Sequence, residues 1–149
     1  MKSMIKERNV FSYYFLSVIT LGIYTIVFWH KLAKDVNKLC EGDGKKTMKY
    51  VPAWFLNIPT LTIFSLIWKY KLTERLSDNA ERYNLRFSES GGLTVAYSLT
   101  IIGMPVAHYL MIKNFNKMAK AYNDYNGLVD PDADNEPDLF DDDVIEIDA

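Results

Sequence analysis

The chain has 149 residues, one cysteine and a formal net charge of −2 at neutral pH. This length suits one domain or a compact array of repeats, and a single cysteine excludes an intrachain disulfide. The small net charge hides a split. Residues 130–149 contain ten acids and no Lys or Arg, whereas residues 1–129 hold all 17 basic residues and nine acids, a net charge of +8. The split predicts that an anionic surface binds the body and that a separate partner binds the tail.

Three stretches without charged residues follow a basic N-terminal segment, at residues 9–30, 50–68 and 91–112. The first stretch lacks a small-residue cleavage site, so we expect an uncleaved segment rather than a signal peptide. Each stretch is long enough to cross a hydrocarbon core of ~30 Å as one helix. Buried helices of soluble proteins are usually shorter and carry a polar face, so the soluble alternative is less favoured.

The three stretches are copies of one unit. Shifting the first by 40 residues places Leu16 on Leu56 and Thr20 on Thr60, and a further shift of 43 places Leu56 on Leu99. In every copy a charged run with apolar residues at helical spacing follows, which indicates either packing between helices or a helix lying on lipid headgroups. We therefore predict an all-α membrane domain over residues 1–129, with repeats at 9–44, 50–88 and 91–127, and a disordered acidic tail at 130–149.

The basic residues favour hairpins over single crossings. If each apolar stretch spanned the membrane once, the two sides would carry nearly equal numbers of Lys and Arg, although membrane proteins show a clear bias. If each stretch turns back on itself, every basic segment faces the cytoplasm, and a limb of about ten residues reaches ~15 Å, one leaflet. Straight or kinked spanning helices are the alternative.

Polar and conformationally special residues mark the predicted turns at the middle of each stretch. Ser, Thr and Asn side chains can satisfy backbone groups freed at a helix break, Gly22 suits a helix C′ position, and Pro59 and Pro105 suit a first helical turn. The predicted turn residues are Ser17, Thr20, Gly22, Asn57, Pro59, Thr60, Thr100, Gly103 and Pro105.

Aromatic and basic residues at the ends of the stretches predict the headgroup level. Amphipathic rings favour this level, and cations there attract anionic lipid. The predicted interface aromatics are Tyr13, Trp29, Trp54, Trp68 and Tyr70. The predicted headgroup contacts are Lys31, Lys34, Lys38, Lys69, Lys71, Arg75, Lys113 and Lys117.

The string TLGIYTIVFWHKLAKDVNKL, residues 20–39, resembles the signature of the domain-of-unknown-function 4234 family of small bacterial membrane proteins. The matching pattern is T-x-G-I-Y followed by W-x-K-L-x-x-D-x-N. The second copy departs from it at Thr62 and Phe64, and the third at Pro105 and Ala107. The resemblance implies a membrane location, here a bacterial inner membrane with cytoplasmic charged segments, and a repeated helical unit. It implies no activity.

Catalytic, metal-binding and cofactor-binding patterns are not found, and we expect a protein that is not an enzyme. His108 is a candidate because ionisable residues within membrane segments are often functional, although a bland role is favoured. Cys40 follows a membrane-proximal helix and is a weaker candidate for lipidation.

Three functions remain open. The first is a self-assembling scaffold that curves the membrane by inserting hairpins into one leaflet. The second is an anchor whose tail recruits a soluble partner through an apolar motif, Leu139, Phe140, Val144, Ile145 and Ile147. The third, least favoured, is a small oligomeric channel with His108, Asn57 or Thr100 in the pore.

Overall fold

The computed structural model describes residues 3–52 and 63–128, and these parts of the chain form an all-α fold, as predicted. The helices are α1 (Val10–Ile19), α2 (Ile23–Leu39), α3 (Ile63–Ala80), α4 (Gly91–Ser98) and α5 (Gly103–Tyr125). A single 3₁₀ turn, Glu81–Tyr83, extends α3, and residues 50–52 are also helical.

Capping residues set the boundaries of the short helices. The Asn9 side chain accepts a hydrogen bond from the backbone N–H of Ser12 and starts α1, and the Ser90 hydroxyl accepts from Leu93 N–H and starts α4. The chain leaves the 3₁₀ turn through Asn84, which has a positive φ of 54°. Asn is one of the residue types that tolerate this left-handed conformation.

An extended N-terminal segment lies antiparallel to α5. The Asn123 amide accepts from the backbone N–H of Ile5 and donates to its carbonyl, at 3.1 and 2.8 Å. Asn116 does the same for Arg8, at 2.7 and 2.8 Å. Two asparagines seven positions apart on one helix therefore pair with an extended strand as a neighbouring strand would, and they satisfy its backbone groups.

The core lies between the charged runs. Most of its buried side chains come from α2, α3 and α5, and they include Leu32, Val36, Leu39, Leu72, Leu76, Met111, Ile112, Phe115 and Met118. Of the two interpretations of the apolar positions in these runs, packing between neighbouring helices accounts for their burial. Lys, Asp and Glu occupy most of the opposite, exposed faces.

None of the helices within residues 3–52 and 63–128 combines the length and apolar character needed to cross a membrane. In the first predicted repeat the apolar stretch is divided between α1 and α2, and in the third between α4 and α5. Most of the second stretch lies outside the described residues.

Candidate membrane-interaction surface

The two described helix breaks lie at the same end of the molecule. Contacts between the first 14 residues and α5 run in antiparallel order: Ile5 pairs with Asn123 and Arg8 with Asn116. Farther along, the hydroxyl of Tyr14 donates to the carbonyl oxygen of Pro105 at 2.8 Å. The chain therefore continues through α1 toward the end where α5 begins, and both breaks lie at that end.

Large apolar side chains are exposed around both breaks. We call this surface the apolar tip, and its residues are Val18, Ile19, Leu21, Ile23, Leu99, Ile101, Ile102 and Met104. Leu21, Ile101 and Ile102 are 94%, 92% and 86% exposed. Contiguous exposed apolar patches on a folded protein usually mark an interaction with protein or membrane.

A threonine closes each break with the same two hydrogen bonds. Thr20 Oγ1 donates to the carbonyl of Leu16 at 2.7 Å and accepts from the N–H of Tyr24 at 2.9 Å. Thr100 Oγ1 donates to the carbonyl of Tyr97 at 3.1 Å and accepts from Gly103 N–H at 3.0 Å. Backbone groups at the end of one helix and the start of the next are thus satisfied inside the protein, which matters most where water is excluded.

The pairing of Thr20 with Thr100 differs by three positions from the alignment of the repeats in the sequence. The alignment of the repeats places Thr20 on Gly103 and Ser17 on Thr100, whereas the hydrogen bonds pair Thr20 with Thr100. The connection between α1 and α2 has three residues and that between α4 and α5 has four, so apolar similarity alone does not fix the register of the turns. Ser17 instead accepts a hydrogen bond from Thr25 Oγ1 at 2.9 Å and joins the two limbs of its own hairpin.

The assignment of Gly22 to the C′ position is wrong by one residue. Leu21 N–H donates to Val18 O at 3.2 Å and Gly22 N–H donates to Ser17 O at 2.8 Å, the pattern of a Schellman motif with Leu21 at C′. Leu21 therefore carries a positive φ of 51°, and Gly22, with φ of 89°, is the next residue and the N-cap of α2. A leucine in the left-handed conformation is unusual, because its side chain makes this backbone unfavourable. Leu21 is also almost fully exposed, so burial of its side chain does not offset that cost.

Gly103 and Pro105 occupy the start of α5, as a helix beginning there requires. A Cβ atom on Gly103 would collide with the carbonyl oxygen of Tyr97 and the hydroxyl of Thr100. Glycine at this position therefore allows the two limbs to approach closely. Asn57, Pro59, Thr60 and Trp54 lie outside the described residues.

Three of the predicted interface aromatics lie inside the protein. Tyr13, Trp29 and Trp68 are 3%, 2% and 4% exposed. The ring of Trp29 lies 5.8 Å from that of Tyr13, 6.1 Å from that of Trp68 and 5.1 Å from that of His108. Their predicted contact with lipid headgroups is corrected, because the protein encloses these rings in an aromatic layer between the apolar tip and the aliphatic core. Tyr70 is exposed.

The predicted headgroup cations divide into exposed and buried groups. Lys31, Lys34 and Lys71 are exposed, and Lys117 is half-buried. Lys38 is half-buried and donates to the hydroxyl of Ser3. Lys113 is buried.

Arg75 is the centre of a buried polar network and not a headgroup contact. It is 5% exposed, and Nε and Nη2 donate to the two carboxylate oxygens of Asp43 at 2.7 and 2.9 Å. Further bonds go to Asn37 Oδ1, Thr47 Oγ1 and the carbonyl of Lys45, at 2.6 to 2.8 Å. The Arg75 guanidinium holds the pKa of Asp43 well below its usual range. The prediction for Arg75 is corrected, because all of its donor atoms are used inside the fold.

Lys69 is buried in a different environment. It is 7% exposed, and its Nζ donates to the hydroxyl of Ser98 at 3.3 Å. Burial lowers the pKa of Lys69 to about 8. Its predicted role at the headgroups is corrected, because its ammonium group points into the interior and not toward the surface.

Cys40 is fully buried, and its thiol donates to the carbonyl of Arg75 at 3.8 Å. Burial raises the pKa of this thiol to about 12. A thiol that is neither accessible nor ionised is a poor acceptor for a lipid, so the lipidation alternative loses its support. Within the described ranges, no three His, Cys, Asp or Glu side chains are placed to hold a metal ion. The tail motif Leu139, Phe140, Val144, Ile145 and Ile147 lies outside the described residues.

The residues of the sequence signature have structural roles. Trp29 is the centre of the aromatic layer, Asp35 forms an ion pair with Arg8 at 2.5 Å, and Asn37 holds the backbone of Thr47 through both of its amide atoms. The burial of Trp29 and the pairing of Asn37 with a loop ten residues away could not be predicted from the signature. These two roles and the Arg8–Asp35 ion pair explain why the signature combines aromatic, acidic and amide residues.

Comparison with known protein families gives a match over part of the chain. Residues 8–78 match the family described as Domain of unknown function (DUF4234). No curated protein and no solved structure matches the chain. The matched range contains the signature, and the resemblance seen in the sequence is confirmed. Over these 71 of its 149 residues, the chain is similar to the DUF4234 family.

Proposed function

We propose that this protein is a non-enzymatic membrane protein whose helical hairpins insert into one leaflet of an anionic membrane, where it self-associates and scaffolds or curves the bilayer. The observation that carries the proposal is the apolar tip. Leu21, Ile101 and Ile102 are the most exposed of the large apolar side chains described, and they lie together at one end of the fold. Burying one such side chain is worth about 1.5–3 kcal/mol, so several of them favour insertion strongly.

The position of the first cation supports insertion to the depth of one leaflet. Lys31, the first cation of α2, is eight residues beyond Ile23, the start of that helix. At 1.5 Å per residue this distance is about 12 Å, close to half of a ~30 Å hydrocarbon core. The exposed Lys31 would then lie at the headgroups while the tip lies near the bilayer centre.

The breaks themselves suit a re-entrant geometry. Non-helical backbone is tolerated within a membrane only where its polar groups find partners in the protein. Thr20 and Thr100 supply such partners at the two described breaks. By contrast, each break leaves its apolar side chains free to contact lipid.

Flotation with liposomes tests insertion. The full chain is mixed with vesicles rich in phosphatidylglycerol and centrifuged through a density gradient. We expect the triple variant Leu21→Asn, Ile101→Asn, Ile102→Asn to lose most of its flotation. The matched control is Tyr125→Asn, since Tyr125 is 74% exposed at the opposite end, and it should float like the unchanged protein. Equal flotation of all three proteins would overturn the proposal.

Cysteine labelling tests whether the hairpins return to the side they entered. Single cysteines at Lys49 and Ser88 occupy exposed positions in the two connections between repeats, and the native Cys40 is buried. In inside-out membrane vesicles, an impermeant maleimide should label both positions. Labelling of one position only from the opposite side would show a spanning topology and contradict the hairpins.

Curvature and self-association follow from one-sided insertion. Volume added to one leaflet expands that leaflet and bends the membrane toward it. Electron microscopy of vesicles with increasing protein should show tubules or buds, and crosslinking should show oligomers. Undeformed vesicles containing only monomers would leave insertion possible but refute scaffolding.

An adaptor role is the second candidate, and the charge split favours it. Residues 130–149 contain ten acidic residues and no Lys or Arg. Removing these residues should abolish capture of a soluble partner without changing flotation. A pulldown of unchanged composition would end the adaptor hypothesis.

A further inference from the structure

A cavity of about 540 Å³ opens between the loop at residues 45–48 and one face of α3. Its size lies within the range of small-molecule sites. The loop is fixed in place, because Trp68 Nε1 donates to the carbonyl of Met48 at 2.7 Å and Asn37 bonds the backbone of Thr47 through both amide atoms. The cavity is therefore a preformed feature of the fold.

The cavity has an apolar wall and a cationic rim. Met48, Phe64, Ile67 and Trp68 supply the wall. Lys45, Lys46, Lys71 and Arg75 supply the rim, with Glu74 and Asp78.

Several of the charged rim groups are engaged elsewhere. Arg75 is paired with Asp43, Lys45 lies 2.9 Å from Asp78, and Glu74 accepts from the N–H of Gly91 at 2.5 Å. Lys46 and Lys71 are exposed, and neither forms an ion pair with another of the described residues. Lys46 and Lys71 outnumber the one carboxylate that has no cationic partner among these rim groups, that of Glu74, so the rim beside the apolar wall keeps a net positive charge.

The wall and the rim are ordered along the axis of the molecule. Phe64 and Ile67 lie in the first turns of α3, on the side of the aromatic layer that leads to the apolar tip, and Ile67 is 45% exposed. Lys71 lies about 10 Å farther along the helix than Phe64, at 1.5 Å per residue. The apolar part of the cavity thus faces the end that we propose to insert, and the cations face the headgroups.

We propose that this cavity binds one anionic phospholipid, with its phosphate between Lys46 and Lys71 and the upper part of an acyl chain along Phe64 and Ile67. The inference rests on the proposed membrane insertion and adds a specific lipid site to it. An apolar wall favours a lipid over a soluble anion, and the excess of positive charge on the rim favours an anionic over a zwitterionic headgroup.

Native mass spectrometry of the full chain in mild detergent tests the site. Phosphatidylglycerol or phosphatidylcholine is added at matched concentrations, and the fraction of protein carrying one lipid is measured. We expect phosphatidylglycerol to be retained at least tenfold better than phosphatidylcholine. The double variant Lys46→Ala, Lys71→Ala should lose this preference. The control Arg82→Ala, Arg86→Ala removes two exposed cations that do not line the cavity, and it should keep the preference.

A second variant and a competitor sharpen the result. Phe64→Glu places a carboxylate in the apolar wall and should also abolish retention, with circular dichroism confirming that the helices remain. Full competition by glycerol phosphate would show a soluble-anion site and overturn the lipid assignment. Equal retention by the Lys46/Lys71 and Arg82/Arg86 variants would also overturn it.

Flotation separates this inference from the proposed function. The Lys46→Ala, Lys71→Ala variant should still float with vesicles, because its apolar tip is intact. Flotation without lipid preference in the unchanged protein would refute the lipid site alone. Lipid retention without flotation would refute insertion alone.

Discussion

The two ends of this molecule treat apolar residues in opposite ways. In the charged runs, which look hydrophilic in the sequence, Leu32, Leu72 and Phe115 are fully buried. In the stretches without charge, Leu21 and Ile101 are more than nine-tenths exposed. A water-soluble fold would bury the more apolar segments first, because burial of apolar area drives folding. The difference separates a core formed by contacts within the chain from a tip whose large apolar side chains the described fold leaves exposed.

The largest expected effect is a loss of stability in the core from the substitution Arg75→Ala. Arg75→Ala leaves the buried carboxylate of Asp43 without its bidentate partner and frees the loop at residues 43–47. Removing one partner of a buried ion pair typically costs 3–5 kcal/mol, and we expect a loss of that size in the free energy of unfolding. Urea denaturation in mild detergent, followed by circular dichroism, measures it. Arg82→Ala, which removes an exposed side chain with one bond to Glu41 O, should cost less than about 1 kcal/mol.

Gly103→Ala breaks the junction of the tip with the fold. The added methyl group collides with Tyr97 O and Thr100 Oγ1, and we expect destabilisation by about 1–3 kcal/mol. Gly92→Ala is the matched control, because a Cβ there meets only Ser90 Oγ at 3.7 Å. In the first turn of α4 this change should be neutral or stabilising by up to about 1 kcal/mol. Equal thermal midpoints for the two variants would contradict the close approach at Gly103.

Lys69 gives the core end a dependence on alkaline pH. Its folded pKa of about 8 lies below the ordinary value near 10.4, so between these values the unfolded chain binds more protons and stability rises with pH. We expect the free energy of unfolding to increase by roughly 1 kcal/mol per pH unit from pH 8 to pH 9.5. Lys69→Met should lose this slope. Parallel pH profiles for the two proteins would show that Lys69 is not desolvated.

The smallest effect sharpens the comparison most. Leu21→Asn relieves a left-handed conformation that leucine tolerates poorly, so the free energy of unfolding in detergent should rise by about 0.5–1 kcal/mol. The same change removes an apolar side chain from the tip and should weaken flotation. Stability and membrane binding thus move in opposite directions at one residue. If both fell together, Leu21 would be a structural residue and not a lipid contact.

Sequence reasoning predicted the helical class, and it placed helix breaks within the first and third apolar stretches. These features are local. Threonine hydrogen-bonds backbone groups three or four residues away, glycine allows a close approach between neighbouring turns, and the spacing of apolar residues predicts the buried face of a helix. Register at the turns was less accurate, because the offset between Thr20 and Thr100 depends on connection length rather than on similarity.

Long-range pairing explains the remaining errors. Arg75 reads as a surface cation until Asp43, 32 residues earlier, is found against it. Trp29 and Trp68 read as interface residues because amphipathic rings are common there, yet they pack on each other across 39 positions of sequence. The asparagine pairs of α5 carry no signal in a single sequence, since nothing marks an asparagine as the partner of a distant backbone.

Those asparagine pairs also order the events of folding. Ile5 and Asn123 are 118 positions apart, so the N-terminal segment cannot dock until almost the whole body has been synthesised. Closing so long a loop is slow and entropically costly compared with forming a hairpin of adjacent helices. The hairpin of α1 and α2 can therefore form, with its part of the apolar tip exposed, well before the N-terminal segment pairs with α5. During synthesis we therefore expect a stage at which this hairpin can contact a bilayer before the N-terminal segment has docked on α5.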